Sequence, residues 1–152
     1  MKWIKFGFIM MVMTWVSAEE QKSFYEEKAV TVMNQFIVIV QKESFENAAK
    51  KVVPLIHKSL LTSNGKSLDD DTYRFSFKKA YNNAKNYIYP IKITRIQKLK
   101  TTEIGYGKRY QKGIEYKFWI AKKEGVSGLP APLVLFFPEN TELAKLSYIG
   151  SL

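Results

Sequence analysis

Cysteine is absent from the 152-residue chain, and histidine occurs once, as His57. Without cysteine the chain can have no disulfide framework, no thiolate metal site and no cysteine nucleophile. A single histidine also excludes a cluster of histidine ligands around a metal. Serine-nucleophile motifs, glycine-rich phosphate loops and metal-spaced His/Glu pairs are missing as well. We therefore expect no metal and no cofactor, and the sequence favours a binding protein over an enzyme.

Lys2 and Lys5 stand near the start of the sequence. An apolar run of 11 residues follows at 6–16, and the small residue Ala18 lies shortly after it. A charged start, a short apolar run and small residues at its end are typical of a secretory signal peptide. A membrane-spanning helix would need about 20 apolar residues. We therefore predict a signal peptide over residues 1–18, cleaved near Ala18. The mature chain, residues 19–152, would be a single secreted or periplasmic domain.

The first part of the mature chain has the apolar period of helices. Ser23 and Glu26 form a capping-box pattern, and apolar residues recur behind it at helical spacing as far as Val40. The run FIVIV at 36–40 is rich in β-branched residues and would also suit a strand. The cap and the period upstream favour a helix, and we expect this first helix to be buried on most sides.

Two shorter helices are predicted next. Ser44 can cap the second, which Pro54 must kink or restart because proline has no backbone N–H to donate. The aspartates at 69–71 stand where the third helix begins, and carboxylates there cap free N–H groups. Pro90 ends this helix. The same aspartates could hold Ca²⁺ or Mg²⁺, but they lack the spaced acids of a calcium loop, and capping explains them.

From Ile91 onward the apolar period falls to two, which is typical of strands. Residues 114–120 alternate between two faces, residues 133–137 are apolar on both faces, and residues 146–149 form a last strand. A break of phase predicts a bulge near Arg95. The order predicts an α+β fold in which three N-terminal helices pack on a curved antiparallel sheet of about four strands.

The closing segments 132–139 (PLVLFFPE) and 145–150 (KLSYIG) are similar to the last hairpin of secreted bacterial members of the nuclear transport factor 2-like superfamily, the cystatin-like α+β cone. The order of elements over residues 23–152 resembles the same superfamily. The resemblance implies a cone with a pocket at its wide end. Because members include isomerases, dehydratases, transport adaptors and domains of unassigned role, the fold alone does not assign an activity.

A pocket in such a cone would be lined by aromatic residues, since tyrosine combines an apolar ring with one polar group. The enzymes of the superfamily place acidic, histidine or tyrosine side chains there, and we find no acid at the predicted inward positions. Our first hypothesis is a non-catalytic binding or accessory domain whose pocket holds a small, mainly apolar ligand. The alternative is a small isomerase- or dehydratase-like enzyme that uses His57 or a pocket tyrosine. The residues predicted to line the pocket are Phe36, Phe77, Tyr81, Tyr116 and Phe118.

Basic residues outnumber acidic ones by 24 to 14, and the excess is local. Residues 92–123 contain ten basic and two acidic residues, a net charge of +8. Such a stretch attracts anions, and salt weakens the attraction. In an envelope compartment the partner would be an anionic envelope component or an acidic protein, and nucleic acid is not expected. The predicted anion-binding residues are Lys98, Lys100, Lys108, Arg109 and Lys112.

Strand alternation defines one more surface. Trp119, Val134 and Phe136 fall on the side of the sheet that faces away from the helices. Apolar side chains exposed there would mark a partner surface. Sheet-to-sheet homodimers are also frequent in the superfamily that the chain resembles. The sequence therefore predicts a homodimer through this face.

Overall fold

The structure, a computed structural model, describes the backbone of residues 18–104, 111–139, 141 and 143–152, and side chains from residue 23 onward except at 100–104. The predicted signal peptide up to residue 17, Lys108 and Arg109, and the side chain of Lys100 lie outside this description. The described helices are α1 (Ala18–Lys42), α2 (Phe45–Lys51) and α3 (Lys78–Ala84), and the strands are β1 (Ile93–Ile104), β2 (Gln111–Ile120), β3 (Ala131–Pro138) and β4 (Lys145–Tyr148).

Helix α1 begins earlier than the sequence predicted. Ser23 lies inside the helix and does not start it, because the preceding residues from Ala18 onward are already helical. This upstream segment, AEEQK, consists of good helix formers. The β-branched run at 36–40 stays helical, as predicted, and its Phe36, Ile37 and Val40 side chains are buried.

Helix α2 and the segment behind it follow the prediction. Ser44 is the N-cap residue of α2, and its carbonyl accepts the Ala48 N–H at 2.8 Å, although its side chain makes no capping bond. After Lys51 the chain tightens into a 3₁₀ turn, Val53–Leu55, that contains Pro54. A second 3₁₀ turn, Lys58–Leu60, follows. The predicted restart at the proline is therefore confirmed.

The third helical region begins as predicted and ends early. Asp69 Oδ1 accepts the Thr72 N–H at 2.8 Å, which confirms the cap. A π-helical segment, Thr72–Phe77, leads directly into α3. The helix ends at Ala84 and does not continue to Pro90. The reason is that residues 85–90 turn to the end of the sheet, where Tyr87 forms a bridge with Lys122.

The sheet has the order β1-β2-β3-β4, and each neighbouring pair is antiparallel. A register shift between Ile93 and Arg95 confirms the predicted bulge, and a second shift lies between Lys98 and Thr101. The segment between the helices also reaches the β4 edge. Ile56 forms a parallel bridge with Leu146.

The two faces of the sheet differ in what covers them. The inner face joins the helices in one hydrophobic core, to which β2 contributes Tyr116, Phe118 and Ile120 and β3 contributes Leu133 and Leu135. The opposite face, called the outer face below, carries the alternate residues of the same strands. Its principal side chains are Gln111, Glu115, Lys117, Trp119, Val134 and Phe136.

The described residues therefore form an α+β fold with three α-helices and a four-stranded antiparallel sheet. Side-chain hydrogen bonds join α1 to α3, from Gln41 Nε2 to the Ala84 carbonyl at 2.8 Å, and join α1 to the segment before β1, from the Ile91 N–H to Asn34 Oδ1 at 2.8 Å. Within the described part of the chain, no helix combines the length and the apolar character needed to cross a membrane.

Candidate functional site

Trp119 lies on the outer face of β2 with two cations against its ring. The register places Arg95 of β1 opposite Trp119, and the guanidinium carbon lies 4.6 Å from the ring centroid. Lys117, two residues earlier on the same face, places its ammonium nitrogen 5.4 Å from the centroid. Cations at these distances are attracted to the negative face of an indole. We call these three residues the Trp119 cluster.

The cations of the Trp119 cluster contact an aromatic ring, whereas Lys51 and Arg74 are held by carboxylates. The ion pairs Lys51–Glu43 and Arg74–Asp70 lie in the helical half of the chain. On the outer face, Glu115 Oε1 accepts a hydrogen bond from the Ser147 hydroxyl at 2.6 Å. A ring attracts a cation without cancelling its charge, so the cluster keeps a positive field toward solvent.

The predicted anion-binding residues do not coincide with this cluster. Lys98 and Lys112 are exposed. The register places Lys98 opposite Tyr116, an inner-face residue, so Lys98 projects on the other side of the sheet from Trp119. Arg95 and Lys117 were missed as site residues; alternation along β2 indicated that Lys117 shares a face with Trp119, whereas only the β1–β2 register places Arg95 there.

Val134 and Phe136 lie on the outer face, as predicted, but they are not exposed. Their exposed fractions are 6% and 0%. The Phe136 ring packs edge-to-face on His57, with 4.9 Å between the ring centroids. The ring also covers Gly113, where an added Cβ would lie 2.6 Å from the Phe136 Cζ. The expectation of exposure at these two residues was wrong; at Phe136 the reason is that His57 of the same chain covers the ring. The homodimer stays a prediction.

His57 is buried, with 1% of its surface exposed. Its Nδ1 accepts the Ser59 N–H at 3.1 Å and lies 2.8 Å from the Ser59 hydroxyl. Its Nε2 lies 3.1 Å from Gln111 Oε1. Since the amide oxygen only accepts, these contacts imply a neutral ring that carries its proton on Nε2. The imidazole therefore joins the segment between α2 and α3 to the start of β2.

The surroundings of His57 keep it neutral. Burial lowers its pKa from 6.5 to about 4, against a smaller opposing effect of the Gln111 hydrogen bond. The positive charges of Lys58 and Lys145 lower the pKa further. A general base needs a free nitrogen within reach of a substrate proton, and both ring nitrogens of His57 are occupied. The geometry gives no support to the alternative in which His57 is an acid–base group.

A cleft lies beside His57. Its volume is about 330 Å³, and we call it the His57 cleft. Lys58 and Lys145 line it together with Gln111 and several apolar side chains. The sequence did not predict this cleft, because its walls come from segments that are far apart along the chain.

The residues predicted to line an apolar pocket meet in the core. Phe36, Phe77 and Phe118 are fully buried, and Tyr116 is 6% exposed. The Tyr81 hydroxyl donates to the Glu43 carbonyl at 2.9 Å. Burial raises the pKa of the Tyr116 phenol above its ordinary value, which makes it a weaker acid. The His57 cleft has a different lining, so the pocket at these aromatic residues stays a prediction.

Among the described residues, no three histidine, aspartate or glutamate side chains converge on a point that could hold a metal ion. Asp69 and Asp70 are engaged with Thr72 and Arg74, as expected for residues that begin a helix. Comparisons with protein-family models, with curated proteins and with solved structures gave no match for this chain.

Proposed function

We propose that the protein is a non-catalytic binding domain that holds an anionic partner against the β1–β2 hairpin. The Trp119 cluster carries the proposal, because it holds two cations side by side on one face of the sheet. Side chains held by a ring lose less conformational freedom when a ligand binds than free ones do. The hairpin therefore offers a partly prearranged site for negative charge.

Further cations extend this site along the chain. Lys92 and Lys123 are exposed, and Lys122 donates to the Ser127 carbonyl at 2.9 Å. Each contact between an exposed cation and an anion contributes about 0.2–1 kcal/mol. Useful affinity therefore needs a partner with several negative charges. With the predicted signal peptide, this favours a polyanionic envelope component, such as a surface of phosphate-bearing lipids or an acidic glycan; an acidic protein is the second class of partner.

Retention on heparin and on anionic liposomes tests the proposal. The double variant Arg95→Glu/Lys117→Glu should elute at a clearly lower salt concentration than the unmodified protein, because both charges of the cluster are reversed. The matched control is Lys50→Glu/Lys66→Glu, which makes the same change of net charge at exposed positions outside the hairpin. A second variant, Lys108→Glu/Arg109→Glu/Lys112→Glu, tests the residues that the sequence predicted.

The two double variants separate a local site from overall charge. Equal losses in both would mean that net charge alone retains the protein. Unchanged retention in the hairpin variant would refute the proposal. If only the variant at Lys108, Arg109 and Lys112 loses retention, the site lies at the connection between β1 and β2, away from Trp119.

We also propose, as a finer description, that the domain is a cone of the nuclear transport factor 2-like kind with a pocket for a small apolar ligand. The order of three helices and four antiparallel strands supports this, as does the single core shared by helices and sheet. An experimental structure of the mature protein tests it through the curvature of the sheet. A flat sheet would refute it.

A further inference from the structure

The His57 cleft lies between two parts of the chain that are distant in sequence. One wall comes from the 3₁₀ turns after α2, with Val53, Pro54 and Leu61, and the other comes from the end of β3 and the approach to β4, with Pro138 and Leu143. These walls are apolar. The volume of about 330 Å³ lies at the lower end of the range for small-molecule sites.

Two ammonium groups belong to the same cleft. Lys58 and Lys145 line it, and both are partly buried. Lys145 Nζ donates to the Pro54 carbonyl, which directs this lysine across the cleft. None of the described lining residues is acidic. The charges of both lysines reach the imidazole, since each lowers the pKa of His57. The described lining of the cleft therefore combines two positive charges with apolar side chains.

His57 and Gln111, the neutral polar side chains discussed above, are already hydrogen-bonded to one another in the cleft wall. Both nitrogens of His57 have partners within the protein, and Gln111 Oε1 is one of them. A ligand need not satisfy either group when it displaces water. The unmet interactions in the cleft are apolar contact and negative charge.

A neighbouring cleft sets the direction in which a longer ligand would lie. It has a volume of about 450 Å³, runs along α1, and shares Pro54, Leu143 and Lys145 with the His57 cleft. Its α1 wall carries one carboxylate, Glu27, and one cation, Lys28, so that wall has no excess of either charge. A negative charge is therefore better placed beside Lys58 than at the α1 end. Leu143, which is 64% exposed, stands between the two clefts as free apolar surface.

We propose that the His57 cleft binds a small amphipathic carboxylate, whose charge lies between Lys58 and Lys145 and whose apolar chain lies on Pro54 and Leu143. A quaternary ammonium of the same length would meet two like charges. A compact inorganic anion would leave the apolar walls uncovered. This site is separate from the Trp119 cluster and does not depend on the function proposed for the hairpin.

Calorimetric titration with dodecanoate at pH 7 tests the proposal, at concentrations below those at which it forms micelles. We expect saturable binding of dodecanoate, weaker binding of dodecanol and the weakest binding of dodecyltrimethylammonium. Lys58→Glu should weaken dodecanoate binding about tenfold, because it replaces an attraction by a repulsion. Leu143→Glu should weaken it about fivefold by placing charge on the apolar path.

Control variants locate the site. Lys50→Glu makes the same charge change on α2, and Trp119→Ala disrupts the other cluster; both should bind dodecanoate as the unmodified protein does. Lys58→Met is a second variant, with a smaller expected loss, in case Lys58→Glu does not fold as judged by circular dichroism. The proposal is overturned if the unmodified protein does not bind dodecanoate, if the cationic detergent binds as tightly, or if the Lys58 variants bind normally. Gln35 lines the neighbouring cleft and not the His57 cleft. Loss of binding in Gln35→Trp alone would therefore place the ligand in the neighbouring cleft and would also overturn the proposal.

Discussion

Two aromatic side chains on the outer face, Phe136 and Trp119, are covered in different ways. Phe136 is fully buried, and the segment between α2 and α3, which pairs with the edge of β4, places the His57 ring on it. Trp119, on the β1–β2 side, keeps part of its surface in solvent and is contacted by the cations of Arg95 and Lys117. The same face is thus covered by a buried imidazole at one side and only by charged side chains at the other.

This difference separates stability from binding. A ring covered by another buried side chain contributes through burial and packing, so its removal should mainly lower the free energy of unfolding. Cations on a partly exposed ring contribute little to stability, and they remain available to a partner. On the outer face, Phe136 therefore contributes mainly to the fold, and the Trp119 cluster is where we place binding of the anionic partner; the His57 cleft is a separate proposed site.

The largest effect is expected when the covered aromatic side chain is removed. Phe136→Ala should lower the free energy of unfolding by about 4 kcal/mol, through lost burial and the cavity left under His57. Denaturant unfolding followed by circular dichroism measures this loss. A loss below about 1 kcal/mol would mean that the closed side of the face contributes no more than an exposed surface.

A fall in pH should destabilise the folded state in which His57 packs on Phe136. The unfolded chain takes up a proton at His57 with a pKa of 6.5 and the folded chain with a pKa of about 4. The unfolded state thus binds more protons between these values, so this contribution to stability is full above pH 6.5 and is lost as the pH falls toward 4. The total loss from this group is roughly 3 kcal/mol.

Proton NMR measures the titration of His57 directly, because the chain has no other histidine. Unfolding curves of the unmodified protein and of His57→Gln, taken across the same range of pH, separate the imidazole from the carboxylates. A measured pKa near 6.5 would show that the His57 ring is not buried in the way described.

A smaller loss is expected from Gly113→Ala on the closed side. The added methyl carbon would lie 2.3 Å from the Phe137 carbonyl oxygen and 2.6 Å from the Phe136 ring, so strand and ring must both move. We expect a loss of about 2 kcal/mol. Gly65→Ala is the control, since its position has no atom within 4 Å and tests only the backbone conformation at φ 70°. If both variants lose the same free energy of unfolding, contact with the Phe136 ring and the Phe137 carbonyl does not explain the loss at Gly113.

The smallest effect on stability is expected on the open side. Arg95→Gln removes one cation from Trp119 and should change the free energy of unfolding by about 0.5 kcal/mol. Its retention on heparin should fall measurably, as the proposed binding function requires. A loss of stability like that of Phe136→Ala, with unchanged retention, would reverse the roles assigned to the two sides.

Local patterns predicted most of the elements but not the contacts between them. The alternation at 114–120 indicated which face Trp119 occupies, and the aspartates at 69–71 indicated a helix start, because both are properties of neighbouring residues. The helix predicted to reach Pro90 ends at Ala84, because pairing with the distant segment that follows β2 outweighs the local apolar period.

The candidate sites were harder to predict for the same reason. His57 meets Gln111, which lies 54 residues further along the chain, and no spacing in the sequence points to that meeting. The burial of Phe136 likewise depends on His57, which is distant from it in sequence. The charge of residues 92–123 was visible as composition, but the choice of Arg95 and Lys117 required the strand register.

The bridge between Ile56 and Leu146 also bears on how copies of the protein can associate. It occupies the β4 edge of the sheet, so among the described strands the long β1 is the edge strand with a neighbour on one side only. Exposed edge strands tend to pair with other chains, and positively charged side chains disfavour such pairing. Two copies that met along β1 would bring Arg95 and Lys98 of each together, and this mutual repulsion should protect the protein from growing into filaments.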